Sequence, residues 1–193
     1  TPGISSAASD VYKRQPVTRM PIPLDSIRDI QQQCISIDDD RRWLVAIISD
    51  SGMHLSEAAG LIISDIHLSA SIPFVTVKEH AWRHLKTSSG TRDIPLVGMS
   101  LWGVKQAVYS SNSEFLFPRY CNKTKCKADY ASSTLNKWLR GHVPIGCVVH
   151  SFRHSMRDRL RAVQCPSDII DQIGGWQTAG VGQSYGKGYE LDV

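Results

Sequence analysis

The sequence predicts a mainly helical α+β domain carrying a small antiparallel sheet. Three observations lead there. Apolar residues recur at helical spacing in several separate stretches, two short β-type runs flank a segment rich in Ser, Gly and charge, and the composition is that of an ordinary folded chain, 41% apolar and 21% charged. A chain of 193 residues buries roughly 70% of the surface its unfolded form exposes, enough for one substantial core. No apolar run approaches the ~18 residues that span a bilayer, and the first residues lack the basic-then-apolar grading of a signal peptide. No membrane partner is therefore expected.

Residues 1–22 read as a tail outside the fold. The first fifteen are rich in Ser and Ala without periodicity, and the run Ser9-Asp-Val-Tyr-Lys-Arg-Gln15 resembles translated adapter sequence, so the tail need not be native and its Tyr12 is no candidate for chemistry. Pro16, Pro21 and Pro23 then make an extended approach. Beyond them no second linker, repeat or low-complexity tract interrupts the chain, which makes residues 23–193 a single domain.

Each element follows from a local pattern. Asp38, Asp39 and Asp40 precede Trp43, Leu44, Ile47 and Ile48, acids where a helix N-terminus favours them and apolar residues at helical spacing, and the helix ends near Ser51-Gly52. A short helix starts at Leu55 or Ser56, with Leu55, Ala58, Ala59 and Ile62 as its apolar face and His54 at its entrance. Residues 73–77 and Thr91 to Val97 read as strands, with Lys86 in the hairpin region between them. Further helices are expected from Ser100 to Ser110, Ala131 to Arg140, about His150 to Gln164, and Ser167 to Ile173. Ser100 and Ser167 fit N-caps, and Gly141 and Gly174 fit stops. In the third of these helices Phe152, Met156, Leu160 and Val163 form an apolar stripe beside a line of Arg153, Arg157 and Arg161.

Charge and cysteine usage narrow the function classes. The net charge of +4 is too small to prove a polyanionic partner. Its distribution is more pointed: Arg119, Lys123, Lys125 and Lys127 occur with no acid among them, and Arg153, Arg157, Arg159 and Arg161 crowd one segment. The cysteines, Cys34, Cys121, Cys126, Cys147 and Cys165, are odd in number and irregularly spaced, which argues against a disulfide framework and for a reducing cytoplasm. Cys121 and Cys126 lack the second close pair of Cys or His that a zinc site needs. His84, His142 and His154 supply no metal triad and are expected to be structural or solvent-facing.

His150 and Arg153 stand three apart at a helix entrance, where both can address one anion facing the positive end of the helix dipole. Phosphate suits such a place. His-x-x-Arg alone is a weak signal, but it keeps company with an upstream hairpin lysine, with Gly174-Gly175-Trp176, and with Tyr185 nine residues after the tryptophan.

That constellation resembles the catalytic domain of the tyrosine recombinases, the phage integrase family. The resemblance runs from about residue 24 to the C-terminus and rests on Ser51-Gly-Met-His-Leu-Ser-Glu57, Leu85-Lys-Thr87 with Arg92-Asp-Ile-Pro-Leu96, His150-Ser-Phe-Arg-His154, and Ile173-Gly-Gly-Trp176 before Ser184-Tyr-Gly186. It implies Tyr185 as nucleophile, Lys86 as the hairpin lysine that protonates the leaving 5′-oxygen, and His150 and Arg153 as the phosphate-side pair. Trp176 falls where the family has His or Trp, and Glu57 at the acidic position after the first arginine. Tyr189 is the alternative nucleophile and Lys78 the alternative lysine. The implied chemistry is cleavage and rejoining of double-stranded DNA through a 3′-phosphotyrosyl link, which conserves the bond energy and calls for no cofactor and no metal. The implied assembly is a homo-tetramer on DNA, together with an N-terminal core-binding domain that has no counterpart in these residues.

One position departs from the pattern. The family has a phosphate-binding arginine where this chain has His54, and a neutral imidazole offers one N–H donor in place of a permanently charged fork. Losing one such donor typically costs on the order of 100-fold to 1000-fold in rate. Two other classes of function therefore stay open: a catalytically inactive relative that binds DNA or a partner, and an unrelated helical regulator whose His-x-x-Arg holds an anion.

Overall fold

The computed structural model describes residues 20–85, 90–176 and 189–192. Within them the elements run α1 (Leu24–Ile37), α2 (Asp40–Ser51), α3 (Leu55–Ala59), β1 (Ile66–His67), β2 (Phe74–Val77), β3 (Arg92–Pro95), α4 (Gly98–Ser110), α5 (Ala128–Leu139), α6 (Ser151–Ala162) and α7 (Ser167–Gly174). The architecture is the mainly helical α+β one that the pattern predicts.

Helix α2 is the central element. Asp39 caps it by accepting from the Arg42 amide at 2.9 Å, and from Leu44 to Ser51 every residue is buried, because α1, α3, α4 and α6 pack around it. The sheet has the order β1-β2-β3, antiparallel throughout, with Val75 opposite Ile94 and Val77 opposite Arg92. Val75, Val77 and Ile94 face the core. On the other face the Thr76 hydroxyl donates to Asp93 at 2.7 Å, the alternation expected of a half-covered sheet.

The structure corrects several local expectations. Helix α1 forms where no element was foreseen between Pro23 and Asp38; Ile27, Ile30 and Cys34 carry a helical stripe into the core, diluted in sequence by the polar run Gln31-Gln32-Gln33 and by exposed Ile35 and Ile37. Ser100 is the third residue of α4 and not its cap, its hydroxyl closing a local loop with the Val97 carbonyl at 2.6 Å and amide at 3.0 Å. Pro166, not Ser167, stands at the N-cap of α7, and Gly175, not Gly174, ends it in a left-handed conformation. Val163 is 74% exposed, because α6 stops at Ala162 and the apolar stripe outlasts the helix.

The charge-rich segments are also more compensated than the sequence suggests. Arg119 pairs with Asp40, Lys123 with Glu114, Arg157 with Asp171, Arg159 with Asp50 and Arg161 with Asp158. Asp40 and Asp50 come from a distant part of the chain, so a run without local acids is not a run without partners. Asp50 is the most connected: it accepts from Gln31 of α1 at 3.1 Å, from the Met99 amide of α4 at 2.9 Å and from Arg159 of α6 at 2.8 Å. A buried carboxylate that satisfies three neighbours is costly to remove. Asp50→Ala is expected to destabilise the domain by about 2–4 kcal/mol in denaturant unfolding, whereas Asp25→Ala, which breaks the exposed pair with Arg28, is expected to cost less than about 1 kcal/mol. Equal costs would mean that Asp50 does not organise the helices.

Candidate active site

Helix α3 begins at the site. His54 sits at its N-cap in extended conformation, and its amide donates to Glu57 Oε2 at 2.8 Å. Glu57 is buried, and the guanidinium of Arg92 meets it fork to fork, Nη1 to Oε1 at 3.2 Å and Nη2 to Oε2 at 2.9 Å. Burial alone would raise the carboxyl's pKa, but the hydrogen bonds and charge of Arg92, with the His54 amide, outweigh it and hold Glu57 below its ordinary range. Arg92 has two further acceptors, the Gly90 carbonyl at 2.7 Å and the Ile173 carbonyl at 2.8 Å. One side chain thus joins β3, α3, the hairpin and α7.

Helix α6 supplies the second part. His150 stands at its N-cap and Arg153 in its first turn. Arg153 is 4% exposed, donates to the Gly52 carbonyl at 2.7 Å and the Gly174 carbonyl at 2.5 Å, and lies 4.2 Å from the centre of the Trp176 ring. Arg157 covers the same ring at 4.8 Å. Burial pushes the Arg153 guanidinium down to about 10, Glu57 opposes that, and the charges of Arg92 and Arg157 add to it. It stays protonated at neutral pH. Arg157 is neutralised by Asp171 and Arg92 by Glu57, whereas Arg153 makes no ion pair among the described residues and rests on neutral carbonyls and an aromatic face. Neutral carbonyls and an aromatic face solvate this cation without neutralising its charge.

The glycine pair before Trp176 has a steric reason. A Cβ on Gly174 would fall 1.9 Å from the Trp176 ring, and one on Gly175, whose φ is +63°, would fall 2.9 Å from Arg92 Nη1. Only glycines let the α7 terminus lie against both the indole and the Arg92 fork.

His54 separates two depressions. On one side a cleft of about 200 Å³ is lined by Met53, Ser56, Asp129, Ser132 and His150. On the other a smaller one of about 40 Å³ is lined by Glu57, His84, Leu85, Gly90 and Gly175. The His54 and His150 rings lie 5.5 Å apart, and His154 meets His150 edge-on at 5.3 Å. His54, His150, Arg153 and Trp176 are therefore brought together from α3, α6 and the end of α7. Lys86 and Tyr185 lie outside the described residues, although Leu85 reaches the rim of the smaller depression. Of the alternatives, Lys78 is engaged with buried Asp65 at 3.2 Å, and the Tyr189 hydroxyl donates to Asp168 at 2.5 Å, which raises its pKa. His84 bonds Glu79 and His142 packs on Trp138. No group of three metal-ligating side chains occurs among the described residues, and no described helix is long and apolar enough to cross a membrane.

Sequence reasoning gave Arg92 no role of its own. Its signal was register: Arg92 and Ile94 share the inner face of β3, Leu96 just after it continues the alternation, and all are buried. A charge on a core-facing register requires a buried partner of opposite sign.

A small antiparallel sheet on a helical domain, Arg153 under the Trp176 ring and the His54 and His150 rings side by side at the start of α6 are the features by which the chain can be compared. The family model for the phage integrase family matches residues 23–189, and the chain belongs to that family. Solved structures share the fold: the Tn1549 transposon integrase in complex with a circular intermediate DNA is 15% identical with a TM-score of 0.66, covering 91% of this chain and 67% of its own. The XerA recombinase is 15% identical with a TM-score of 0.64, over 86% and 58%. The XerH site-specific recombinase bound to difH substrate, in a pre-cleavage complex, is 18% identical with a TM-score of 0.60, over 83% and 48%. This chain thus spans between about half and two thirds of these structures. No curated protein sequence matches it.

The Glu57–Arg92 pair can be tested through pH. Because Glu57 titrates lower in the folded state, its contribution is present above the unfolded value of about 4.3 and is lost as pH falls through the folded one. Glu57→Gln is expected to cost about 3–5 kcal/mol at pH 7, and the gap from wild type should narrow steadily below about pH 4. A gap independent of pH in urea titrations would contradict the pairing.

Proposed function

We propose that residues 23–193 form the catalytic domain of a site-specific DNA recombinase or integrase, which cleaves and rejoins DNA strands through a tyrosine. The observation that supports this most is Arg153: a buried, charged guanidinium without a carboxylate partner among the described residues, stacked on Trp176 in the helix that His150 opens, with the His54 ring 5.5 Å from that of His150. An incoming phosphodiester would replace the two neutral carbonyls as its acceptor, exchanging ordinary hydrogen bonds for charge-assisted ones.

In this reading the Tyr185 oxygen attacks the scissile phosphorus, forming a 3′-phosphotyrosyl link while the 5′-oxygen departs with a proton from Lys86. The 5′-hydroxyl of a second strand reverses the step, so the phosphodiester is conserved without a nucleotide cofactor or metal. Arg153 stabilises charge on the phosphoryl oxygens, His150 assists proton transfer at the tyrosine, and Trp176 packs the site and offers its indole N–H. The DNA is double-stranded, the working assembly a homo-tetramer on DNA with a core-binding domain completing the clamp, and the compartment the cytoplasm.

His54 sets the rate. It stands between both depressions, where an arginine would offer a fork and a permanent charge, so turnover is slow. The same residue favours the second reading, an inactive relative that retains DNA or partner binding. A suicide DNA substrate separates them, with the core-binding domain supplied by fusion. Wild type should form a covalent adduct slowly, His54→Arg at least about tenfold faster, and His54→Arg with Tyr185→Phe none. Salt-dependent DNA binding without adduct in every variant supports the inactive relative, and neither binding nor adduct overturns both.

A further inference from the structure

Cys121 and Cys126 face each other in a way their sequence spacing does not announce. They form an isolated antiparallel bridge, bracketed by the Asn122 amide donating to the Lys125 carbonyl at 3.1 Å and the Lys127 amide donating to the Tyr120 carbonyl at 2.7 Å. Lying between two hydrogen-bonded rungs, 121 and 126 occupy a non-hydrogen-bonded pair, where facing Cα atoms come to about 4.5 Å and both side chains leave on one face. That spacing is within the range a disulfide bridges without backbone movement, about 4.4–6.8 Å. The turn is fixed by its own bonds, the Asn122 side chain accepting from the Thr124 and Lys125 amides, both at 3.0 Å. We propose that Cys121 and Cys126 are a reversible redox modification site, a thiol pair that a hydroperoxide converts to a cross-strand disulfide.

The surroundings assign the two roles. Cys126 is half-buried and Cys121 only 3% exposed, so an oxidant reaches Cys126 first. Beneath them lies Arg83, 3% exposed and anchored on the Glu57 and Lys78 carbonyls, whose positive charge favours a thiolate. The neighbouring Cys121 thiol and the Arg83 charge, against burial, lower the Cys126 pKa, while the nearness of Cys126 and burial raise that of Cys121. The Cys126 thiolate attacks one peroxide oxygen; the O–O bond breaks, sulfenic acid forms, and the leaving oxygen departs as water or alcohol with a proton. The Cys121 sulfur then displaces the sulfenic oxygen, which leaves as water with the second proton. Two thiols are oxidised and one hydroperoxide is reduced.

The other cysteines lack this arrangement. Cys34 is fully buried, with its pKa pushed up to about 12 by burial, and Cys147 donates to the carbonyls of Met20 and Pro21. The pair also borders the site, since the Cys126 thiol reaches the Ser56 carbonyl in α3 at 3.9 Å and α5 starts at Ala128. Oxidation removes that donor one residue from Glu57.

The test uses the intact chain and hydrogen peroxide, followed by alkylation and trypsin digestion without reductant. Cleavage after Lys123 and Lys125 separates the two cysteines unless a disulfide holds them. The expected product is peptide 120–123 joined to peptide 126–127, with the alkylated forms of both falling at least about tenfold and recovering after dithiothreitol. In Cys121→Ser a dimedone adduct on Cys126 is expected instead. Recovery of both peptides separately alkylated after peroxide, or oxidation of Cys165 ahead of this pair, would overturn the assignment, and the wild-type digest decides it even where the variant does not fold.

Discussion

The site depends on one buried ion pair, Glu57 with Arg92. Moving either charge out of water is costly, and an ion pair recovers that cost only with near-ideal geometry and every remaining hydrogen bond satisfied. Here the fork-to-fork contact, the His54 amide and the carbonyls of Gly90 and Ile173 meet that condition. Sheet, α3 and α7 each contribute to it, so none can move without leaving a charge stranded. The arrangement specifies where these elements sit more than it stabilises them.

Fixing Arg92 in this way has an electrostatic consequence. Arg92, Arg153 and Arg157 share one neighbourhood, but among the described residues only two have carboxylates, Glu57 and Asp171. The charge left over is on Arg153, in the first turn of α6 and under an indole face. That uncompensated charge among the described residues is what the proposed binding of a phosphodiester rests on. His54, at the edge of that field, supplies a ring where a second permanent charge would extend it.

Much of this was legible in the sequence, and for identifiable reasons. The acidic start and core stripe of α2 and the two longer strands follow from local patterns, and the helix of His150 and Arg153 from the apolar stripe beside it. Of the motif residues, His54 comes to 5.5 Å from His150 and Arg153 to 4.2 Å from Trp176, pairs that the separate local patterns do not place together. What was not legible is tertiary. Arg153 looks like one member of a solvated arginine line, and only the ends of α2 and α7 and the Trp176 ring packed on it show that it is buried. The acids that pair Arg119 and Arg159 lie in α2, far from either in sequence. Helix α1 was missed because its stripe is narrow and interrupted by glutamines, and the facing of Cys121 and Cys126 depends on the register of a turn.

The most direct test of the account is a double-mutant cycle on the pair, measuring unfolding free energies of wild type, Glu57→Gln, Arg92→Met and the double variant at pH 7. If the pair organises the site, each single change strands a buried charge and the second change relieves it, so the coupling should reach about 2 kcal/mol or more. Costs that add to within about 0.5 kcal/mol would contradict the account.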